Sequence, residues 1–205
     1  MDFYETVEKR RSVREFQSMH VEEDKLMRIL DAGLKAPTHD HLREWEFILV
    51  KDPEQRRRIA ETEGTTRAIT DAKELGTVTR NMTDKMQREM YLKAIPVQKR
   101  MLTSSPELLV VCFRMKKPLK ESETLFDLNC LASVWACIEN ILLAMAAEGL
   151  YGVTCVPHET TRLKQELRLP EDYEIAAMIP IGYPSKYFVR QKRISLRERM
   201  HVDRW

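Results

Sequence analysis

Leu125-Phe126-Asp127-Leu128-Asn129-Cys130-Leu131-Ala132-Ser133-Val134-Trp135-Ala136-Cys137-Ile138-Glu139-Asn140-Ile141-Leu142-Leu143-Ala144-Met145-Ala146-Ala147-Glu148 is the stretch around which the chain arranges itself. Leu128, Leu131, Trp135, Ile138, Ile141, Leu142 and Met145 recur at three- to four-residue spacing, which predicts a helix over 125–148 with one wide apolar face. Ala132, Ala136, Ala144 and Ala146 make the other faces nearly as apolar. Such a helix is covered by more than one neighbour, so it serves as the spine of the domain or as a surface shared between subunits. Glu139 and Asn140 interrupt it and are expected as a satisfied polar pair at a subunit interface. Cys130 and Cys137 read as core, and Gly149 ends the helix.

Working outward, 107–113 is an almost unbroken apolar run, the mark of a strand covered on both faces. Strands are expected at 46–50, 151–156 and 175–181, the last closed by Gly182-Tyr183-Pro184. Helices are expected at 2–9, with Phe3, Tyr4 and Val7 on one side, and at 22–35, 53–62 and 160–168. Glu22, Glu23 and Asp24 fall in a first turn, where the helix dipole favours negative charge. Residues 62–100 are polar and helix-compatible, a helical excursion or lid. The tail 185–205 is basic and ends in Trp205, which is expected to pack on this subunit or on a partner. The pattern gives a single α+β domain over 1–205, a small mixed β-sheet packed on helices around the long central one.

Composition narrows the function. The 205 residues are 43% hydrophobic and 32% charged, with 34 basic and 32 acidic side chains and a net charge of +2. That balance argues against a dedicated nucleic-acid binder. The acidic start, Met1-Asp2-Phe3-Tyr4-Glu5, lacks the apolar core of a secretory signal, and no apolar run is read as reaching membrane-span length. Cys112, Cys130, Cys137 and Cys155 form no CxxC pair and read as reduced thiols, so a cytoplasmic location is expected. His39-x-His41 alternates ligand types without a further ligand cluster, poor geometry for a metal, and Trp45 reads as core. The sequence holds no P-loop, no GxGxxG and no Ser/His/Asp arrangement at readable spacing.

Arg10-Arg11-Ser12-Val13-Arg14-Glu15-Phe16 gathers three guanidinium groups and a hydroxyl within five residues, a set suited to one anion. With APTHDHLREWEFILV at 36–50, GLYGVTCVPHE at 149–159, IPIGYP at 179–184 and KRISL at 192–196, it resembles the nitroreductase family of flavoproteins from about residue 3 to about 200. The order and spacing of these elements carry the likeness.

The resemblance implies an intertwined homodimer with FMN at the subunit interface. It implies that Arg10, Arg11, Ser12 and Arg14 hold the flavin phosphate, ribityl chain and ring edge, joined at the phosphate by Lys192 and Arg193. Pro157, His158 and Glu159 fall on the loop beside the reactive edge of the ring, where a main-chain N–H does the bonding, and Gly182 permits close approach near the phosphate. The loop of Pro37, Thr38, His39, His41 and Arg43 departs from the family's usual Ser-Gly-x-Asn-x-Gln: His41 stands for the ring-bonding amide and Arg43 for the glutamine. Arg43 could stabilise negative charge on a reduced flavin, shifting potential and substrate choice. The implied activity is ping-pong transfer from NAD(P)H through FMN to an electron-poor acceptor such as a nitroaromatic or quinone, with no obligatory side-chain acid or base. The alternatives are a specialised relative, a reductive dehalogenase or flavin-fragmenting enzyme, and a non-catalytic flavin-binding protein.

Overall fold

The computed structural model describes residues 2–62, 80, 83–157, 160–186 and 195–205. The spine forms as the helix α5 (Asn129–Ala147), entered through a 3-10 turn at Phe126–Leu128. Against it stands a four-stranded antiparallel sheet of β1 (Trp45–Leu49), β2 (Glu107–Arg114), β3 (Tyr151–Gly152) and β4 (Tyr173–Gly182), in the order β1-β2-β4-β3. Among the described residues, the parallel component of the expected mixed sheet is one bridge, Ser12 to Gly152.

Strand β2 shows why its sequence reads as unbroken apolar. Side chains alternate between faces along a strand. Leu109, Val111 and Phe113 pack with Val134, Ile138 and Ile141 of α5 and with Leu26 and Ile29 of α2 (Glu23–Leu34). Leu108, Val110 and Cys112 turn the other way, onto Ile59 of α3 (Pro53–Thr62), Leu102 of α4 (Lys85–Ser104) and Leu163 of α6 (Thr160–Leu167). Both faces are therefore dry. The buried stripe of α5 is Val134, Cys137, Ile138, Ile141 and Met145, while Leu131, Trp135 and Leu142 of the expected face are only partly covered.

Several expectations change. Glu139 and Asn140 are used within the chain: Glu139 lies 3.7 Å from Arg10, and Asn140 donates to the Ala32 carbonyl at 3.1 Å. On α1 (Phe3–Lys9) the buried residue is Thr6, and Phe3 and Tyr4 are 62% and 77% exposed. Trp205 stacks on His201 but is 99% exposed, so this subunit's body does not cover it. The helix Phe126–Ala147, 22 residues at mean hydropathy 1.8, is by length and composition apolar enough to cross a membrane, contrary to the reading of the bare sequence. In this fold it packs on α1, α2 and the sheet. Of the 62–100 excursion, α4 is described from Lys85, and 63–79 and 81–82 lie outside the described residues.

The strand expected over 151–156 contracts to two residues plus a later bridge at Cys155, which exchanges both backbone bonds with Met178 at 2.8 Å. The register is continuous between them; opposite Val153 stands Pro180, which has no N–H to give. The ladder lapses there, and the chain from Val153 onward becomes the wall of a cleft.

Candidate functional site

The segment 10–17 is laid across the sheet's end by backbone bonds at both of its ends. Val13 N–H donates to the Gly152 carbonyl and Gln17 N–H to the Tyr183 carbonyl, each at 2.9 Å, and Phe16 bridges to Pro184. This contact needs glycines. A Cβ on Gly152 would stand 2.3 Å from the Pro180 carbonyl oxygen. A Cβ on Gly182 would meet Pro106 at 2.7 Å and the Phe16 ring at 3.1 Å. The space that a side chain on Gly182 would need is thus taken by Pro106 and Phe16.

Arg14 stands at the meeting of three clefts. The first, about 370 Å³, is bordered by Ser12, Arg14, Glu15, Lys93, Ser185 and Lys186. The second, about 310 Å³, has the 153–157 wall on one side and Met90, Tyr91 and Met101 of α4 on the other. The third, about 290 Å³, adds Phe16, Arg100 and Ser104. The half-buried Arg14 guanidinium meets no carboxylate among the described residues; its Nη2 lies 3.7 Å from the Met90 sulfur. Pro157 shares the second cleft with it. Arg10 instead faces Glu139, and Arg11 is half-buried beside it. His158, Glu159, Lys192 and Arg193 lie outside the described residues.

The 37–43 loop is elsewhere. His39 N–H donates to Ser133 Oγ at 2.9 Å, fixing the loop to α5, and the His39 ring stands edge-on to Phe126 with centroids 5.0 Å apart. Its Nε2 is 3.1 Å from the Asp40 carboxylate but is not aligned for a hydrogen bond. Thr38 and His39 line a void of only about 10 Å³ with Trp45, Phe113 and Arg114. Pro37, His41 and Arg43 are exposed. Asp40, His41 and Arg43 hold φ of 50°, 55° and 50°, each left-handed placement costing a non-glycine residue about 1–2 kcal/mol. A Lys116–Asp40 ion pair and Arg43 N–H donating to Thr38 Oγ1 at 3.2 Å brace the loop.

The spine acts as a ruler between the two regions. Arg10 sits at Glu139 and His39 at Ser133. Six helical residues are about 9 Å along the axis and about 120° around it. One chain therefore presents the arginine segment and the histidine loop on different faces of α5.

The sequence missed Glu15, which accepts from Arg100 Nη2 and Lys186 Nζ, both at 2.9 Å, and read α4 only as part of an excursion or lid, without naming the residues it brings to all three clefts. Glu15 was visible inside the arginine motif. Nothing in the polar run around α4 announced which face it would turn inward.

Residues 7–183 match the model of the nitroreductase family. Among curated relatives, mouse iodotyrosine deiodinase 1 is 29% identical over 187 residues, 90% of this chain and 63% of that protein. This chain therefore spans under two thirds of the mouse protein's length. Protein DrgA of Synechocystis is 26% identical over 187 residues, 89% of this chain and 84% of the other. Among solved structures, iodotyrosine deiodinase bound to FMN and 3-iodo-L-tyrosine superposes with a TM-score of 0.75 at 22% identity, over 95% of this chain and 96% of that one. NADPH:FMN oxidoreductase from Vibrio harveyi with NAD+ gives 0.74 at 19%, over 99% and 77%. At these identities the superpositions establish the fold.

Proposed function

The chain belongs to the nitroreductase family, and from that premise we propose that it is an FMN-dependent oxidoreductase working as a homodimer. FMN, when bound, supplies the chemistry: it takes reducing equivalents from NAD(P)H and passes them, in a ping-pong cycle, to an electron-poor acceptor such as a nitroaromatic or quinone.

The observation that carries the reading is Arg14, a half-buried cation without a carboxylate partner among the described residues, set where three clefts meet beside the 153–157 wall. Such a cation asks for an anionic ligand. Ser12, Arg14 and Lys186 suit a phosphate in the first cleft, and the hydroxyls of Ser12 and Ser185 add donors. Tyr91, Met90 and Met101 give the second cleft apolar walls that suit a flat ring and exclude water. No side chain there is assigned as an obligatory acid or base.

The 37–43 loop reaches such a ligand from a second copy of the chain. Phe3, Tyr4, Leu125 and Phe126, at 62%, 77%, 86% and 65% exposure, are the apolar surface that copy would cover, together with Trp205 and the tail. The helix α4 forms the lid, and the location is cytoplasmic.

Adding FMN to the purified protein is expected to give a bound-flavin spectrum that bleaches on anaerobic addition of NAD(P)H; an unbound spectrum contradicts the reading. A second reading, reductive dehalogenation, is favoured by the identity to iodotyrosine deiodinase. Iodide release from 3-iodo-L-tyrosine by dithionite-reduced protein supports it, and turnover of nitroaromatics or quinones without iodide release removes it.

A further inference from the structure

We propose that Glu15 is a built-in anion within the cationic cleft and sets how strongly the site favours a phosphorylated flavin over an unphosphorylated one. The inference rests on the FMN reading above.

Glu15 follows Arg14 on the segment pinned across the sheet's end, and Ser185 N–H donates to its carbonyl at 3.1 Å. One carboxylate oxygen takes Arg100 of α4 and the other takes Lys186, which follows β4, each at 2.9 Å. The same carboxylate borders both the first and the third cleft, where the cations are Arg14, Lys93, Arg100 and Lys186. Lys186 and then Arg100 hold its pKa below the ordinary carboxylate value, so it is charged at neutral pH.

Without that carboxylate, the four cations that line the two clefts would hold a phosphate more tightly. With Glu15 in place, Arg100 and Lys186 already have a partner, and an incoming anion must compete for them. A phosphate monoester brings a charge near −2 and several acceptor oxygens, and finds the hydroxyls of Ser12 and Ser185 on the same cleft. It can draw Lys186 away while Glu15 keeps Arg100. The carboxylate repels the dianion that it makes room for, so the phosphate contributes less to affinity than the bare cations would give.

The test compares FMN with riboflavin, which lacks the phosphate, by flavin-fluorescence titration of the whole protein. Any loosening of the cleft walls affects both ligands and cancels in the ratio of their dissociation constants. Glu15→Gln is expected to raise the preference for FMN about fivefold, with a steeper loss of FMN binding as salt is added. Glu15→Asp is expected to keep the wild-type ratio, and Glu5→Gln, which removes a charge from the exposed Lys9 pair, to leave it unchanged. An unchanged ratio in Glu15→Gln overturns the proposal, since Glu15 would then only tie α4 to the tail. An equal rise in Glu5→Gln also overturns it, reducing the effect to net charge. Failure of the wild-type protein to bind either flavin is the distinct result that removes the FMN reading, and this inference with it.

Discussion

Two arginines divide the labour of this molecule. Arg56 of α3 is 7% exposed, and its guanidinium donates to three carbonyls: Val50 and Ser105 at 2.6 Å and Pro106 at 3.3 Å. It knots the end of β1 to the start of β2, and its burial holds its pKa below the usual arginine value, with Glu107 acting against the shift. Arg14 lies half-buried with a thioether for company and open clefts on three sides. Both cations sit close to the sheet. One has its guanidinium taken up by backbone carbonyls and the other meets no carboxylate among the described residues, so they differ in partners as well as in burial. Neither residue type nor local charge distinguishes a structural cation from a binding one; the accounting of acceptors does.

The comparison can be broken most directly at Arg56. Arg56→Met strands three carbonyls and is expected to cost about 3–5 kcal/mol, read by urea unfolding. A loss under about 1 kcal/mol would mean that water replaces the guanidinium and the knot is not structural. Next comes the seat of the arginine segment. Gly152→Ala drives a Cβ against the Pro180 carbonyl and is expected to cost about 1–3 kcal/mol and to weaken flavin binding with it. Retained stability together with lost binding would show that the segment can lift off the sheet without disturbing the core.

A smaller effect is expected on the acid side. Tyr183 O–H, helped by Lys25, lowers the Glu22 pKa from 4.5 to about 2. A carboxyl held below its unfolded value stabilises the fold above pH 4.5, and that contribution is lost as pH falls from 4.5 toward 2. Tyr183→Phe, which keeps the ring, is expected to flatten part of the fall in melting temperature across that window. An identical fall in the variant would assign the acid sensitivity to other carboxylates, such as Asp24 and Glu148, which are also held below their ordinary values. Last, burial raises Cys112 and Cys137 to about 12, so both thiols are neutral and are expected to resist alkylation at pH 8 until the protein unfolds, whereas the half-buried Cys155 on the second cleft reacts first. Protection of Cys155 by FMN would tie that cleft to the flavin.

Much of the fold was legible because burial writes itself into periodicity. The run 107–113 announced a strand covered on both faces, and the two half-sets of its side chains do go to opposite layers. The spine was legible as a helix, though not the direction of its buried stripe, because a helix apolar all round does not say which side faces the sheet. The short β3 was not legible because its limit is imposed by Pro180 on another strand. At the site, the arginine motif set Arg10 beside Arg14, and only the fold separates their partners: Glu139 stands opposite Arg10, while Arg14 meets no carboxylate among the described residues. Gly182 was read for close approach near a ligand, and within the chain its missing side chain makes room for Pro106 and Phe16. The 37–43 loop was placed with the arginines by family likeness, and the chain holds the two on different faces of its spine.

The measurement that tests the contrast between the two arginines most directly is FMN titration of wild type and Arg14→Gln, with unfolding stability recorded on the same samples. Arg14→Gln is expected to leave stability unchanged, within about 0.5 kcal/mol, and to weaken FMN binding about 10- to 100-fold, the worth of a charged hydrogen-bonding partner. Wild-type FMN affinity in Arg14→Gln, or a stability loss as large as that of Arg56→Met, would contradict it.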